Sequence, residues 1–137
     1  MKIWKTQPDL RQLNQIGEAN MAGHLGLEFT AFGDDYLEAR LPVDHRTKQP
    51  AGLLHGGASV VLAETLGSVA SYLCVEQGKK CVGVEVNANH LKSATEGFVK
   101  GRVRPIRVGR SLHVWSIEIH NSAGDLVCVS RLTVAII

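Results

Sequence analysis

Glu64 is the only charged side chain between Ala51 and Val75. Around it the run GASVVLAETLGSVASYLCV, from Gly57 to about Val75, has helical length, no proline and an apolar character on nearly every side. A helix of that kind must be enclosed by other elements. A carboxylate there is costly to ionise unless hydrogen-bonded, and desolvation is expected to push its pKa upward. Its chemistry would be that of a general base or a nucleophile; the plainer reading is a structural glutamate bonded to a nearby backbone or hydroxyl group. Ser68 follows four residues later on the same helical face, where its hydroxyl could orient the carboxylate or a water. Serine in a buried helix also bonds back to its own backbone, so Ser68 by itself decides little.

His55-Gly56-Gly57 opens this helix. Two glycines leave the first backbone N–H groups unobstructed, and with the helix dipole they form a site for negative charge, such as the oxyanion of an attacked carbonyl. The alternative is that the glycines only permit a tight turn. Gly56 and Glu64 are eight residues apart, about 12 Å of helix rise. A donor and an attacking group serving one carbonyl must each lie within roughly 3 to 3.5 Å of it. One helix cannot do this alone, whereas two antiparallel helices in a homodimer set Gly56 of one subunit opposite Glu64 of the other, giving two equivalent shared sites.

The elements that must position these groups follow from patterning. Pro8 and Asp9 precede Leu10, Leu13, Ile16 and Gly17, predicting a short amphipathic helix to about Met21. Leu25 to Phe32 and Tyr36 to Leu41 flank Gly33-Asp34-Asp35 as a hairpin. Pro42 to Leu54 is a long irregular connection, the kind of loop that carries function. After the central helix come four strand-like runs: Cys81 to Lys92, Phe98 to Arg104, Ser111 to His120 and Leu126 to Ile136. In the third, His113, Trp115, Ile117 and Ile119 share one face; in the first, Val82, Val84, Val86 and Ala88 share the face of His90. The simplest packing is an α+β arrangement, an antiparallel sheet curled around one long helix, with residues 1–137 as a single domain.

Composition removes other classes. Lys and Arg number 15 against 13 Asp and Glu, a net charge of +2, too weak a field to argue for nucleic acid or membrane binding. No signal-length apolar run opens the chain and no uninterrupted apolar stretch reaches membrane-span length, so a cytoplasmic location is expected. Cys74, Cys81 and Cys128 are odd in number and lack C-x-x-C spacing, which predicts small core residues. The six histidines are scattered, without H-x-x-x-H or H-x-x-E-H, so no metal site is expected, and no dinucleotide or phosphate-loop motif is present.

Leu41-Pro42-Val43-Asp44, Arg46 to Pro50, Gly52-Leu53-Leu54-His55-Gly56-Gly57-Ala58-Ser59 and Ala63-Glu64-Thr65 together resemble the bacterial hotdog-fold thioesterases that hydrolyse aryl- and acyl-CoA or acyl carrier protein thioesters. That group contains the menaquinone-pathway and enterobactin-proofreading enzymes. The likeness continues through Val84 to His90 and to Ser130-Arg131-Leu132, nearly the whole chain. It implies the hotdog fold, with Glu64 as the catalytic carboxylate, Gly56 as the helix-end donor, Gln49 and His55 as side chains placing the thioester, and Ser68 and His90 as supporting polar positions. Ala51 departs from the phenylalanine of many relatives. The resemblance further implies a dimer of dimers, hence a homotetramer, with no cofactor beyond the CoA of the substrate. Gly83, His90, Leu91, Lys92 and Ser93, with Arg107, Val108, Gly109, Arg110, Ser111 and Leu112 in a following turn, are the substrate contacts expected on it; a solvated basic surface is the rival reading of the cations. Two other functions fit the same fold: a non-catalytic acyl-CoA sensing domain, and an enoyl-CoA hydratase, which would need an Asp/His pair at another spacing.

Overall fold

The computed structural model describes residues 1–137. Asp9 caps the first helix, α1 (Leu10–Gly17), by accepting from the Gln12 N–H. The helix does not continue to Met21. Asn20 accepts from the Ala22 N–H and donates to Ile16 O, ending α1 and starting the short α2 (Met21–His24). Asparagine prefers such local bonds to helix interior positions, which accounts for the break.

The hairpin is present as β1 (Glu28–Phe32) and β2 (Leu37–Pro42). Its first strand begins later than expected because Leu25 closes α2 and Gly26 turns the chain at φ 80°. The central helix α3 spans Gly56–Cys74, and β3 (Cys81–His90), β4 (Phe98–Val108), β5 (Leu112–Asn121) and β6 (Leu126–Ile136) complete one antiparallel sheet in the order β1-β2-β4-β5-β6-β3. β4 runs four residues beyond the expected Arg104, past Pro105, through a register shift between Pro105 and Arg107. A bulge is where a sheet tolerates proline.

The sheet curls over α3 through its alternating apolar face: Leu37, Ala39 and Leu41 on β2, Val99 and Val103 on β4, Trp115, Ile117 and Ile119 on β5, Leu132 and Val134 on β6 are all fully buried. His113 shares that face, as the alternation predicted. Gly101 lies beneath Leu62 and Leu66; a methyl group there would stand 2.8 Å from Leu66 Cδ1, so the missing side chain lets the helix approach the middle of the sheet. By length and apolarity α3 could cross a bilayer, but 56% of its 18-residue apolar window is buried in the fold, the setting of a core helix.

Enclosure is incomplete. Gly57, Val61, Glu64, Thr65, Ser68 and Tyr72 form one stripe of α3 that stays half-buried or exposed. Beside it β3 is a long edge strand, with Val82 45% and Val84 57% exposed. Cys74 and Cys128 are buried and Cys81 half-buried, all free; burial pushes the Cys74 thiol up to about 12.

Burial also holds the His113 imidazole below its ordinary value of 6.5, opposed in part by the nearby Gly109 backbone. The unfolded chain therefore takes up a proton at His113 at a pH where the folded chain does not. The stability this group contributes is complete above pH 6.5 and declines as pH falls toward its folded value. Denaturant titrations at a series of pH values should show a loss of unfolding free energy below 6.5 that is shallower in His113→Gln; equal slopes in the two proteins would contradict this.

Candidate active site

The loop between β2 and α3 is tied down before it reaches the helix. Thr47 Oγ1 donates to Pro42 O, Thr47 O accepts from the His55 N–H, and Leu54 N–H donates to Ala94 O across the sheet connection. Arg46 hydrogen-bonds Asp44 and holds its carboxyl down at about 2. This frame presents Gln49. Gln49 Oε1 accepts from the Ala51 and Leu53 N–H groups, so the acceptor end of the amide is occupied and its NH₂ end remains to donate. Ala51 is exposed at the loop tip and contributes to this through its backbone.

His55 is the N-cap of α3. Its Nδ1 accepts from the Gly57 N–H at 2.8 Å, which places the proton of a neutral ring on Nε2. The first N–H groups of the helix are thus not all open, as two glycines had suggested. Gly57 is taken by the ring and Ala58 and Ser59 by His55 O, leaving Gly56 without an acceptor in the chain.

His90, at the end of β3, packs on that position: a methyl group at Gly56 would stand 2.9 Å from His90 Nε2. Gln49, Gly56 and His90 line one cavity of about 360 Å³ together with Ser59 and Lys92. Leu91 and Ser93 line it as well. Ser59, 3% exposed, was not recognised from the sequence; its spacing three residues after Gly56, on the same helical side, was the available signal. Lys92 Nζ sits 2.8 Å from Asp125 Oδ2 in an exposed pair that solvent screens and a ligand could replace.

Glu64 lies elsewhere. Its carboxylate reaches toward Gly83 on β3, where a methyl group would come 2.5 Å from Oε2. It is half-buried rather than enclosed, and Ser68, one turn on, makes no hydrogen bond to it. The face expected for β3 is corrected by a bulge between Gly83 and Glu85: Gly83 pairs with Val134, Val86 with Leu132, Ala88 with Ser130 and His90 with Cys128. Those partners are buried, so Gly83 and His90 both face α3, whereas Val82 turns outward.

Within one chain the expected contacts fall into three places. Gln49, His55, Gly56 and His90 to Ser93 gather at the start of α3, and Glu64, Ser68 and Gly83 lie along its exposed stripe. Arg107 to Leu112 sit at the opposite end of the sheet, where Leu112 and Val82 both pair with Ala135. Arg107 and Val108 end strand β4 rather than lying in the turn, which is Gly109 to Ser111. Neither Arg107 nor Arg110 has a carboxylate partner. A larger groove of about 760 Å³ occupies the outer sheet face among the pairs Arg102–Glu38 and Arg40–Glu28, and none of the expected residues lines it.

Residues 51–128 match the family described as the thioesterase superfamily. The chain is 58% identical over 135 residues to the 1,4-dihydroxy-2-naphthoyl-CoA hydrolase of Escherichia coli strain K12, covering 98% of this chain and 99% of that protein. It is 47% identical to the proofreading thioesterase EntH of Cronobacter turicensis, with 98% of each covered. The crystal structure of a mutant thioesterase from Pseudomonas aeruginosa superposes with a TM-score of 0.98 at 50% identity, covering 99% of both chains.

The contact at Gly83 can be tested directly. Gly83 has an ordinary backbone conformation at a sheet edge, so Gly83→Ala should fold with an unchanged melting temperature. The added methyl displaces the Glu64 carboxylate, and turnover should fall about 10- to 100-fold. Unchanged steady-state turnover would show that Glu64 does not need its place against β3.

Proposed function

The chain belongs to the thioesterase superfamily and is a hotdog-fold acyl-CoA thioesterase, and from that premise we propose that Glu64 is its hydrolytic carboxylate, acting on a carbonyl held by the partner subunit. The observation that carries this reading is the division of labour along α3. The unsatisfied Gly56 N–H and the Gln49 amide face one cavity, while the only carboxylate of the helix lies two turns away on a stripe that the fold leaves uncovered.

A twofold axis beside that stripe would complete one consistent site. It would pack the two α3 helices antiparallel and join the two β3 edges, covering Tyr72, Val82 and Val84, which are 50%, 45% and 57% exposed. It would also bring the Arg107–Leu112 end of one subunit toward His90 to Ser93 of the other, because these lie at opposite ends of one sheet. CoA would then run from the cations of the turn, along the interface, to the cavity at Gly56. On this reading the protein is a homodimer with shared sites, assembling further to a tetramer, working in the cytoplasm and needing no cofactor, since CoA enters with the substrate.

In the reaction, the Gly56 N–H and the Gln49 NH₂ donate to the thioester oxygen and stabilise the charge that develops there. His90 and His55 border the carbonyl. Glu64 either attacks the carbonyl carbon, expelling the CoA thiolate and leaving an anhydride that water cleaves, or takes a proton from a water that attacks. Single turnover in heavy-oxygen water separates the routes: label entering the Glu64 carboxylate supports the anhydride. The acyl group favoured is aromatic, on the strength of the identity to the 1,4-dihydroxy-2-naphthoyl-CoA hydrolase; acyl carrier protein is an alternative carrier.

Glu64→Gln should reduce kcat by roughly three orders of magnitude or more with little change in substrate affinity; near-normal rates would end the assignment. Val84→Lys, at the uncovered edge, should sediment as a monomer and lose activity with it. A fully active monomer would overturn the shared site. Thiol release from an aromatic acyl-CoA, a straight-chain acyl-CoA and the aromatic acyl carrier protein thioester, compared by kcat/KM, decides the substrate.

A further inference from the structure

The fold buries Glu38, Thr47, Ser59, Ser71, His113 and Ser130, and all but one are bonded through their side chains. Glu38 pairs with Arg102, Thr47 Oγ1 donates to Pro42 O, and Ser130 Oγ donates to Asn87 O. Ser71 Oγ accepts from Trp115 Nε1 at 2.7 Å and lies 2.9 Å from His113 Nδ1. Ser59 is the exception. A helical serine commonly bonds back to the carbonyl four residues before it, but His55 O already accepts from the Ala58 and Ser59 N–H groups at 2.9 and 3.4 Å. Thr30 Oγ1 is sealed from solvent without a partner; Ser59 differs, because the 3% of it that is exposed opens on the cavity that it lines with Gly56 and Gln49.

Its place in that cavity is informative. Side chains of a helix tilt toward its N-terminus, so the Ser59 hydroxyl leans over the turn that begins at Gly56. Residues three apart are neighbours, with about 5 to 6 Å between their Cβ positions. His90 to Ser93 form an exposed rim, whereas Ser59, Ala94 and Val127 are buried and form the floor. At the rim Lys92 is held by Asp125, and the Gln49 oxygen is held by its own loop. The floor is therefore apolar except for one free hydroxyl, a surface that suits a flat apolar group carrying one oxygen.

We propose that Ser59 is a specificity-determining residue, donating to a hydroxyl oxygen that stands ortho to the thioester on an aromatic acyl group. This rests on the reading that the Gly56 N–H holds the carbonyl oxygen. One helical turn separates the two donors, so the atoms they meet must be adjacent on the substrate. An ortho hydroxyl stands beside the carbonyl oxygen, whereas a para hydroxyl stands across the ring. The ortho proton turns to the carbonyl oxygen in the plane of the ring. The phenolic oxygen keeps lone pairs for the serine, which has no other acceptor.

The experiment compares kcat/KM for 2-hydroxybenzoyl-CoA, 4-hydroxybenzoyl-CoA and benzoyl-CoA. Ser59→Ala should lower the value for the first about tenfold, the scale of one hydrogen bond, and leave the other two unchanged. The alanine removes no bond within the chain, so its melting temperature should equal or exceed that of the parent. Ser59→Thr, which keeps a hydroxyl on the same carbon, should retain the parent's ratio of 2-hydroxybenzoyl-CoA to benzoyl-CoA. Equal losses on all three thioesters would place Ser59 on the pantetheine arm they share and overturn the proposal, as would no loss on any. Gln49→Ala reads the premise separately, on benzoyl-CoA, which has no hydroxyl for Ser59 to meet. An unchanged kcat there would remove the carbonyl from this cavity and the role of Ser59 with it. A lowered kcat, beside a Ser59→Ala protein that treats the three thioesters alike, would overturn the role of Ser59 alone.

Discussion

The apolar contact between α3 and the inner face of the sheet is the constraint on which every other feature rests. It fixes a rigid rod, with its open N-terminus at one end of β3 and its carboxylate toward the other. Side chains on a helix cannot slide along it, so the separation of Gly56 from Glu64, about 12 Å, is a property of the backbone. The fold adapts around that rod by withholding side chains. Gly101 lets the helix settle, Gly83 leaves room for the Glu64 carboxylate, and Gly56 leaves room for the His90 ring.

Backbone donors are rationed with similar economy. A helix start normally leaves several N–H groups without partners. Here the cap residue absorbs two, Gly57 through its ring and Ala58 through its carbonyl, and Thr47 O takes the His55 N–H, so that a single donor remains beside the Gln49 amide. The loop does the complementary work on Gln49 by occupying its oxygen, so the Gly56 N–H and the Gln49 amide both meet the cavity as donors. Paired donors favour an oxygen that gains negative charge.

Much of this could be read from residue types. The lone glutamate in an apolar run, the H-G-G start and the alternation of β5 lead to the helix, the sheet and the candidate carboxylate, because burial writes itself into periodicity. What could not be read depends on pairing between distant residues. Nothing local to Gly83, Val84 and Glu85 announces the bulge, and the faces assigned to Val82 and Val84 came out wrong for that reason. The end of α1 at Asn20 reflects two side-chain bonds competing with helix continuation, and β4 outlasted Pro105 because its neighbour accommodates a second bulge. The link from Ser71 to His113 spans 42 residues and carries no motif. The partition of the expected contacts among three places was likewise invisible, since distance along a sheet is set by strand order.

The bulge in β3 has a consequence for how this chain can vary. Gly83 and His90 are seven positions apart, an odd number, and in an unbroken strand they would lie on opposite faces. The one additional residue restores parity, and both turn toward the helix. The strand therefore has a reading frame. Losing or gaining a single residue between these two positions would send one of them to solvent while every local preference for β-structure stayed intact. The length of this segment is therefore as constrained as the identity of the residues at its two ends.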